Sequence, residues 1–520
     1  MPRSVLVRQD SYHDSVLLMR LSQALAGLSG VEDAVVAMGT PHNRGLLAAQ
    51  GYAGPQLDAA GPNDLVIAVR GGTDAPARVE AEMERLLRSE RPADGEEARP
   101  ASLAAAVRAL PEANLVLISV PGEHAAREAR RALALGRHVM IFSDNVPIED
   151  EVALKRLAVA RGLLLMGPDC GTAILDGKPL AFANAVRRGA IGVVGAAGTG
   201  IQEVTSCIHR LGGGVSQAIG TGGRDLSDAV GGLMTLFGIE ALAADPATRV
   251  LVVVSKPPSP AVAGKVVSAL AAAGKPGVVH FVGAEPGAAA VPAARGVTFA
   301  DSLAGAAEAA CRLAGVPDVP AAPPAPDAAR VRELAARLAP GAKLRGLFCG
   351  GTTGHEALAL LARAGLEVHS NLHKHGPLRV AGTAPVGGHA LFDLGDDVFT
   401  VGRPHPMIEP ALRNERLALE TSDPETALLL FDCVLGFGAH PDPAGVLAEG
   451  LGRARAAAAG RDLVAIASVT GTSGDPQQFG AQVHRLAAAG IVVEPDNRSA
   501  AALAAAVIVA AASAGGRRAS

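Results

Sequence analysis

The sequence predicts an α/β protein of several parallel-sheet domains with a small α/β domain at its N-terminus. Three observations carry this. Short apolar runs rich in Val, Ile and Leu alternate with helix-length segments, as strands covered by helices on both faces do. Glycine-rich turns follow several of those runs directly. A length of 520 residues, 49% hydrophobic and 19% charged, supplies cores for three or four domains.

Taken in order, residues 1–90 read as the small α/β domain. Ser4–Val7, Asp33–Met38 and Leu65–Val69 have strand character, and Ser15–Leu28 and Pro76–Arg88 helix character. Ser89–Pro100 is charged, proline-bearing and aperiodic, hence a linker. Residues 101–185 alternate strands at Leu115–Val120, His138–Phe142 and Leu163–Met166 with helices at Ala125–Leu135 and Glu149–Arg161. Residues 186–316 place strands at Ile191–Val194, Ser216–Ile219, Val250–Val254 and Gly277–Phe281, with a helix over Gln202–Leu211. Asp318–Ala328 is a proline-rich, semi-rigid linker. Residues 329–515 hold strands at Leu344–Cys349, Ala427–Leu435 and Leu463–Ser468.

Composition removes several function classes. A net charge of −4 with no basic block, 2% aromatic residues and no Trp argue against nucleic-acid binding. The most apolar window, Ala500–Ala512, is too short to span a bilayer, and the N-terminus has no apolar targeting core. Five dispersed cysteines without a C-x-x-C suit a reducing compartment. A cytoplasmic protein without a membrane segment is expected.

Chemistry is expected at four glycine- and threonine-bearing turns, each at the carboxyl end of a strand, where open α/β sheets bind ligands. The strongest is Gly195–Glu203, between a strand and a helix, where backbone N–H groups and a helix N-terminus converge on an anion. Gly198, Thr199 and Gly200 are its candidate ligands; no P-loop lysine follows, so no nucleoside triphosphate is read there. Gly220, Thr221, Gly222 and Arg224 form the second turn, in which the guanidinium offers a fork to phosphate or carboxylate. Asp225 either orients that arginine or caps the next helix. Gly351, Thr352 and Thr353 form the third, and Thr470–Pro476 the fourth. Arg403, His405 and Glu409 share a loop stiffened by three prolines, which suits a fixed cation and an acid–base pair, or else a solvated connector. His369, His373 and His375 cluster in HSNLHKHG without the carboxylate pairing of a metal site, so no metal is assigned.

Four motifs in order, MGPDCGTAI (166–174), VGAAGTGIQEV (194–204), IGTGGRDL (219–226) and VGRPHPMIEP (401–410), resemble FdrA-type proteins, relatives of succinyl-CoA synthetase. The resemblance implies a Rossmann-like CoA-binding-type domain at 101–185, a flavodoxin-like domain at 186–316 and a ligase-type α/β domain at 329–515. Three departures accompany it, the first being that the Gly-rich CoA loop near the synthetase α-subunit N-terminus is not apparent, since residues 1–90 form a different small domain. The synthetase α subunit carries a Gly-His-Ala-Gly loop with a phosphorylated histidine, whereas VGAEPGAAAVPAARG after Gly277–Phe281 has none; and residues 329–515 show no ATP-grasp portion. The family association implies a component of an oxamate carbamoyltransferase in allantoin breakdown, converting oxalurate and phosphate to oxamate and carbamoyl phosphate. Phosphate would lie at Gly198–Gly200 and Gly220–Arg224, Arg224 or Arg403 would hold a carboxylate, and His405 or Glu203 would move a proton. Partner subunits, an oligomer and small anionic substrates are implied, with CoA a cofactor by resemblance. The alternatives are an acyl-CoA synthetase, with His355 or His405 carrying the phosphate, and a CoA-binding regulatory scaffold.

Overall fold

Strand and helix alternate throughout the computed structural model, which describes residues 2–516 apart from 12, 14, 90–99, 101, 284–293, 322–324, 401–402 and 459. Most of the Ser89–Pro100 linker, much of the segment after Phe281, part of the Asp318–Ala328 linker, and Val401 and Gly402 lie outside the described residues. The chain divides into two compact units, residues 1–100 with 401–404, and residues 101–400 with 405–520.

In the first unit, β1 (Arg3–Arg8), α1 (Ser15–Ala26), β2 (Val31–Met38), α2 (Pro41–Ala49), α3 (Pro55–Ala59), β3 (Leu65–Gly71) and α4 (Ala75–Ser89) follow in order. The sheet is antiparallel, order β1-β3-β2. Leu18, Leu21, Leu25, Val79 and Met83 of α1 and α4 bury one face against Val36, Ile67 and Val69. Leu47, Tyr52 and Leu57 cover Val66 and Ala68 on the other. β3 is thus buried on both sides, as its unbroken apolar run requires.

The second unit holds three sheets. α5 (Leu103–Ala109), β4 (Leu115–Ile118), α6 (Gly122–Ala134), β5 (His138–Ile141), α7 (Ile148–Ala160) and β6 (Leu165–Met166) make a parallel β4-β5-β6 sheet. Next come β7 (Thr172–Leu175), β8 (Lys178–Ala181), β9 (Arg188–Ala196), α8 (Gly198–Arg210), β10 (Val215–Gly220), α9 (Leu233–Ala244), β11 (Val250–Ser255), α10 (Pro260–Ala272), β12 (Gly277–Phe281), β13 (Val297–Phe299) and α11 (Leu303–Leu313). Their sheet has the order β13-β12-β11-β9-β10-β7-β8. The third group is α12 (Ala328–Ala335), β14 (Lys343–Phe348), α13 (Gly351–Arg363), β15 (Val368–Ser370), β16 (His389–Asp393), α14 (Asp397–Thr400), α15 (Ala411–Thr421), β17 (Thr426–Val434), α16 (Pro443–Ala457), β18 (Val464–Thr470), α17 (Phe479–Ala488), β19 (Ile491–Glu494) and α18 (Asn497–Gly516). Its six strands are all parallel, order β15-β16-β14-β17-β18-β19.

The α/β class with several parallel sheets is as the apolar runs predict, with two differences. β7 and β8, read with residues 101–185, join the seven-stranded sheet as an antiparallel edge hairpin. α8 begins at Gly198 rather than at Gln202, so the glycine-rich turn is itself the first turn of the helix. Among the described residues no helix is long and apolar enough to cross a membrane.

A buried ionic network fixes the loop after β10. Lys155 Nζ lies 2.8 Å from both Glu151 Oε1 and Asp225 Oδ1 and donates to the Thr221 carbonyl at 2.9 Å, all three side chains being inaccessible. Asp225 in turn accepts from the N–H groups of Met234 and Thr235 at the start of α9, so it caps that helix. Replacing Lys155 with Met takes the buried cation from two buried carboxylates, leaving Glu151 to Arg224 and Asp225 to the donors of α9, and is expected to cost about 3–5 kcal/mol. A clearly lowered thermal midpoint by circular dichroism checks this; an unchanged midpoint contradicts it.

Candidate functional site

Two strand-to-helix turns meet at their tips. β9 runs through Ala197 into α8, and β14 runs through Cys349-Gly350 into α13. The Thr352 N–H donates to Thr199 Oγ1 at 3.2 Å, so the first turns of the two helices touch. A Cβ on Gly200 would lie 2.8 Å from Thr352 Cγ2, and one on Gly350 2.7 Å from Thr199 Cγ2. Only glycine permits this approach. Asp432, at the end of β17, shapes the second turn by accepting from Cys349 N and Gly350 N at 2.8 Å each and from Thr353 Oγ1 at 3.0 Å.

The N–H groups of Gly198, Thr199, Gly200 and Gly351 make no hydrogen bond among the described residues. A helix start leaves such donors without intrahelical acceptors, and the helix dipole adds positive potential. Gly198 and Gly351 are half-buried at the mouth, so the two N-termini form one open, anion-favouring junction.

Three side chains surround it. Lys256 follows β11 directly, and its Nζ lies 3.3 Å from where a Gly351 Cβ would sit. Asp393 ends β16, with Oδ2 2.6 Å from that same point and Oδ1 accepting from Gly395 N at 3.0 Å. Burial raises the Asp393 carboxyl to about 7, against the opposing pull of Lys256. His405 Nε2 lies 2.5 Å from where a Gly395 Cβ would be. Its Nδ1 accepts from Met407 N at 3.2 Å, which places the proton of the neutral ring on Nε2. Burial pushes this imidazole down to about 4. At neutral pH His405 is therefore an uncharged donor.

Gly198, Thr199, Gly200, Gly351, Thr352 and Thr353 are brought together at the junction, the last as a turn-builder through Asp432. The second turn is placed otherwise. Gly220 packs against the Thr172 carbonyl, Gly222 has φ +87° against the Pro168 carbonyl, and Thr221 Oγ1 is bonded inward to Gly195 O and Thr235. Arg224 turns to Glu151 at 2.8 Å and the Val146 carbonyl at 2.7 Å. Glu203 is buried on α8, with Oε2 accepting from Thr470 Oγ1 at 2.6 Å and Oε1 from Asn497 N at 3.1 Å; it braces the domains instead of facing the junction. Arg403 is half-buried and falls in the first unit, whereas His405 falls in the second. Glu409 accepts from Ala411 N at the start of α15. The Thr470–Pro476 turn is closed on itself and on Asn184 and Ala185 through Asp475.

Lys256 and Asp393 are additions that the sequence reading missed. Each is one charged residue at the carboxyl end of a buried parallel strand, VLVVVS and HALFD, and that position is the only local signal.

The junction lies at the strand ends of neighbouring α/β sheets, and the scaffold that carries it is acyl-CoA synthetase-like. Family profiles agree: one described as CoA-ligase matches residues 347–507, and one described as CoA binding domain matches 186–283, the segment expected to be flavodoxin-like. The uncharacterized protein YahF of Escherichia coli (strain K12) is 44% identical over 493 residues, 94% of this chain and 95% of that protein. The mitochondrial succinate–CoA ligase (ADP-forming) subunit alpha-2 of Trichomonas vaginalis is 29% identical over 150 residues, 28% of this chain and 47% of that protein. A dinucleotide-forming acetyl-coenzyme A synthetase of Ca. Korarchaeum cryptofilum, solved with phosphate and ADP, covers 78% of this chain and 85% of its own at 15% identity and a TM-score of 0.32, too low to compare the sites. The chain belongs to the FdrA-type family of succinyl-CoA synthetase relatives.

A profile described as AllF, heavy metal-associated domain, matches residues 1–103. Those residues contain no cysteine, the thiolate donor that soft metals favour. Among the described residues no group of three or more His, Cys, Asp and Glu is placed to hold a metal ion. The residues present do not fit a heavy-metal site.

Two outcomes are expected. Gly350→Ala pushes a methyl into Thr199 and should cost about 1–3 kcal/mol while separating the helix ends, read as a lowered thermal midpoint. His405 stays neutral in the fold while the unfolded chain takes up a proton near 6.5, so its stabilisation is complete above 6.5 and lost as pH falls toward 4. His405→Gln should therefore narrow the gap between thermal midpoints at neutral and acidic pH; an unchanged gap contradicts this.

Proposed function

We propose that the chain is the phosphate-binding component of an oxamate carbamoyltransferase-type enzyme, built on the acyl-CoA synthetase-like scaffold. One observation carries the reading: two helix N-termini with free N–H groups converge beside Lys256, in a chain whose residues 282–300 contain no histidine. Without a histidine there, phosphate held at the junction is itself the nucleophile. Its oxygen attacks the ureido carbonyl of oxalurate, giving a tetrahedral oxyanion. The C–N bond then breaks, the amide nitrogen takes a proton and leaves as oxamate, and carbamoyl phosphate remains.

Each site group has a place in this scheme. Gly198, Thr199, Gly200 and Gly351 N–H groups hold the phosphate, and Lys256 offsets its charge. His405 Nε2–H, neutral at pH 7, donates to the oxyanion. Asp393, with its carboxyl raised to about 7, is matched to protonating the leaving nitrogen. The AllF profile over residues 1–103 accords with a place in allantoin breakdown.

A second reading, an acid–thiol ligase in which CoA is a substrate, is favoured by the CoA binding domain profile over residues 186–283. It requires phosphate transfer to an imidazole; His355 and His405, pushed down by burial to about 3 and about 4, are neutral, and His405 would first have to release Nδ1 from Met407 N.

Gly198→Asp separates these readings from an inert turn. The added Cβ meets only Thr172 Oγ1 at 3.6 Å, so the fold accommodates it while the carboxylate occupies the junction. Calorimetric binding of inorganic phosphate and carbamoyl phosphate should fall more than tenfold with the thermal midpoint kept or raised. Equal binding by both proteins overturns the phosphate site. With its associated subunits, the wild type should form carbamoyl phosphate from oxalurate. Acid-labile phosphohistidine formed from labelled ATP, with no carbamoyl phosphate, would establish the ligase instead.

A further inference from the structure

A cavity of about 440 Å³ opens beside the junction, lined by Lys256, His355, His373, Lys374, Arg379 and Asp393 among others. Its walls are polar. Among the described residues Leu372 is the apolar exception and imidazoles are the only rings in the lining, so a nucleobase would find little to stack on. The charges are unbalanced. Lys256, Lys374 and Arg379 form no ion pair within 4.0 Å among the described residues. Of the two carboxylates, Asp393 is held near neutrality by burial, and Asp396 accepts from Val398 N at the start of α14. A small ligand with more than one negative or carbonyl oxygen fits these walls; a metal ion or a flat aromatic does not.

The cavity and the junction share Lys256 and Asp393, since both flank Gly351. Lysine is a point charge with three donors and can serve two anions together, whereas Arg379 presents a planar fork suited to carboxylate. Arg224, one of the two expected carboxylate holders, is engaged by Glu151 and Val146 and leaves that part to another cation.

We propose that this cavity is the subsite for the carboxylate end of the second substrate, with Lys374 and Arg379 holding the carboxylate and Lys256 standing between it and the phosphate. This rests on the phosphate reading of the junction. A short carboxylate with an adjacent carbonyl places its reactive carbon toward Gly351, where the junction N–H groups and Asp393 meet it.

Calorimetry on the full chain with three probes, oxamate, succinate and inorganic phosphate, tests it. Lys374 and Arg379 are exposed, so the K374A/R379A double variant should keep the wild-type thermal midpoint. Oxamate binding should weaken at least tenfold in that variant with phosphate binding within twofold of wild type, and Lys256→Met should weaken both. Unchanged oxamate and succinate binding in the double variant, or a wild type that binds neither, overturns the subsite. A carboxylate lost in the double variant while the wild type binds no phosphate upholds the subsite and sinks the phosphate reading. Succinate bound in place of oxamate keeps the subsite and moves the activity to the acid–thiol ligase.

Discussion

The meeting of two helix N-termini governs this structure. Each carries roughly half a positive charge, so placing α8 and α13 tip to tip is electrostatically unfavourable and must be offset nearby. Part of the offset is local: Thr199 Oγ1 takes one orphan N–H of α13, and Asp432 gathers two turn N–H groups and a hydroxyl. What is left over is a concentrated positive potential with free donors, the condition under which an anion stabilises the fold as it binds.

Two other helix N-termini in the same unit, among those that carry caps, are met by buried glutamates. α11 has its Leu303 N–H met by Glu356 Oε1 at 2.6 Å, and α18 has its Asn497 N–H met by Glu203 Oε1 at 3.1 Å. Asn497 Nδ2 then joins the two carboxylates' surroundings by donating to Glu356 Oε2 at 2.7 Å. The protein thus caps α11 and α18 with its own buried carboxylates, at the cost of raising Glu356 to about 7. It supplies no such carboxylate to Gly198, Thr199 or Gly200 of α8. Glu203 and Glu356, carried on α8 and α13 themselves, hold the six- and seven-stranded sheets in the register that brings the tips together.

How much of this was legible follows from the range of the interactions. β3, β11 and β17 announce themselves because a strand buried on both faces must be apolar throughout. The turns at 195–203 and 350–354 announce themselves because close backbone approach excludes side chains. Their pairing does not, since Thr199 and Thr352 are 153 positions apart and nothing local distinguishes them from other threonines. Arg224 was attractive as a free guanidinium beside glycines; Glu151, a helix away in α7, claims it. Glu203 lies in a recognisable motif, and yet its side chain leaves the helix on the face toward Thr470. Lys256 and Asp393 gain their character from burial and from each other, which only the assembled sheets provide.

The histidine-free segment after Phe281 and the charges around Gly351 bear on one another. A phosphoryl group carried on a side chain needs a place to arrive and leave, and the site must then tolerate an empty state. A phosphate that attacks directly needs to be held beside its acceptor, with charge offset on both sides of the forming bond. In the reaction we propose, Lys256, lying between a junction of N–H groups and a cationic cavity, would provide the second arrangement. Asp393 adjoins the same lysine with a carboxyl near 7, so a proton is available where the departing nitrogen would be. In the function we propose, an acyl-CoA synthetase-like scaffold would serve transfer to phosphate because its strand ends carry a lysine and an aspartate whose carboxyl burial raises to about 7.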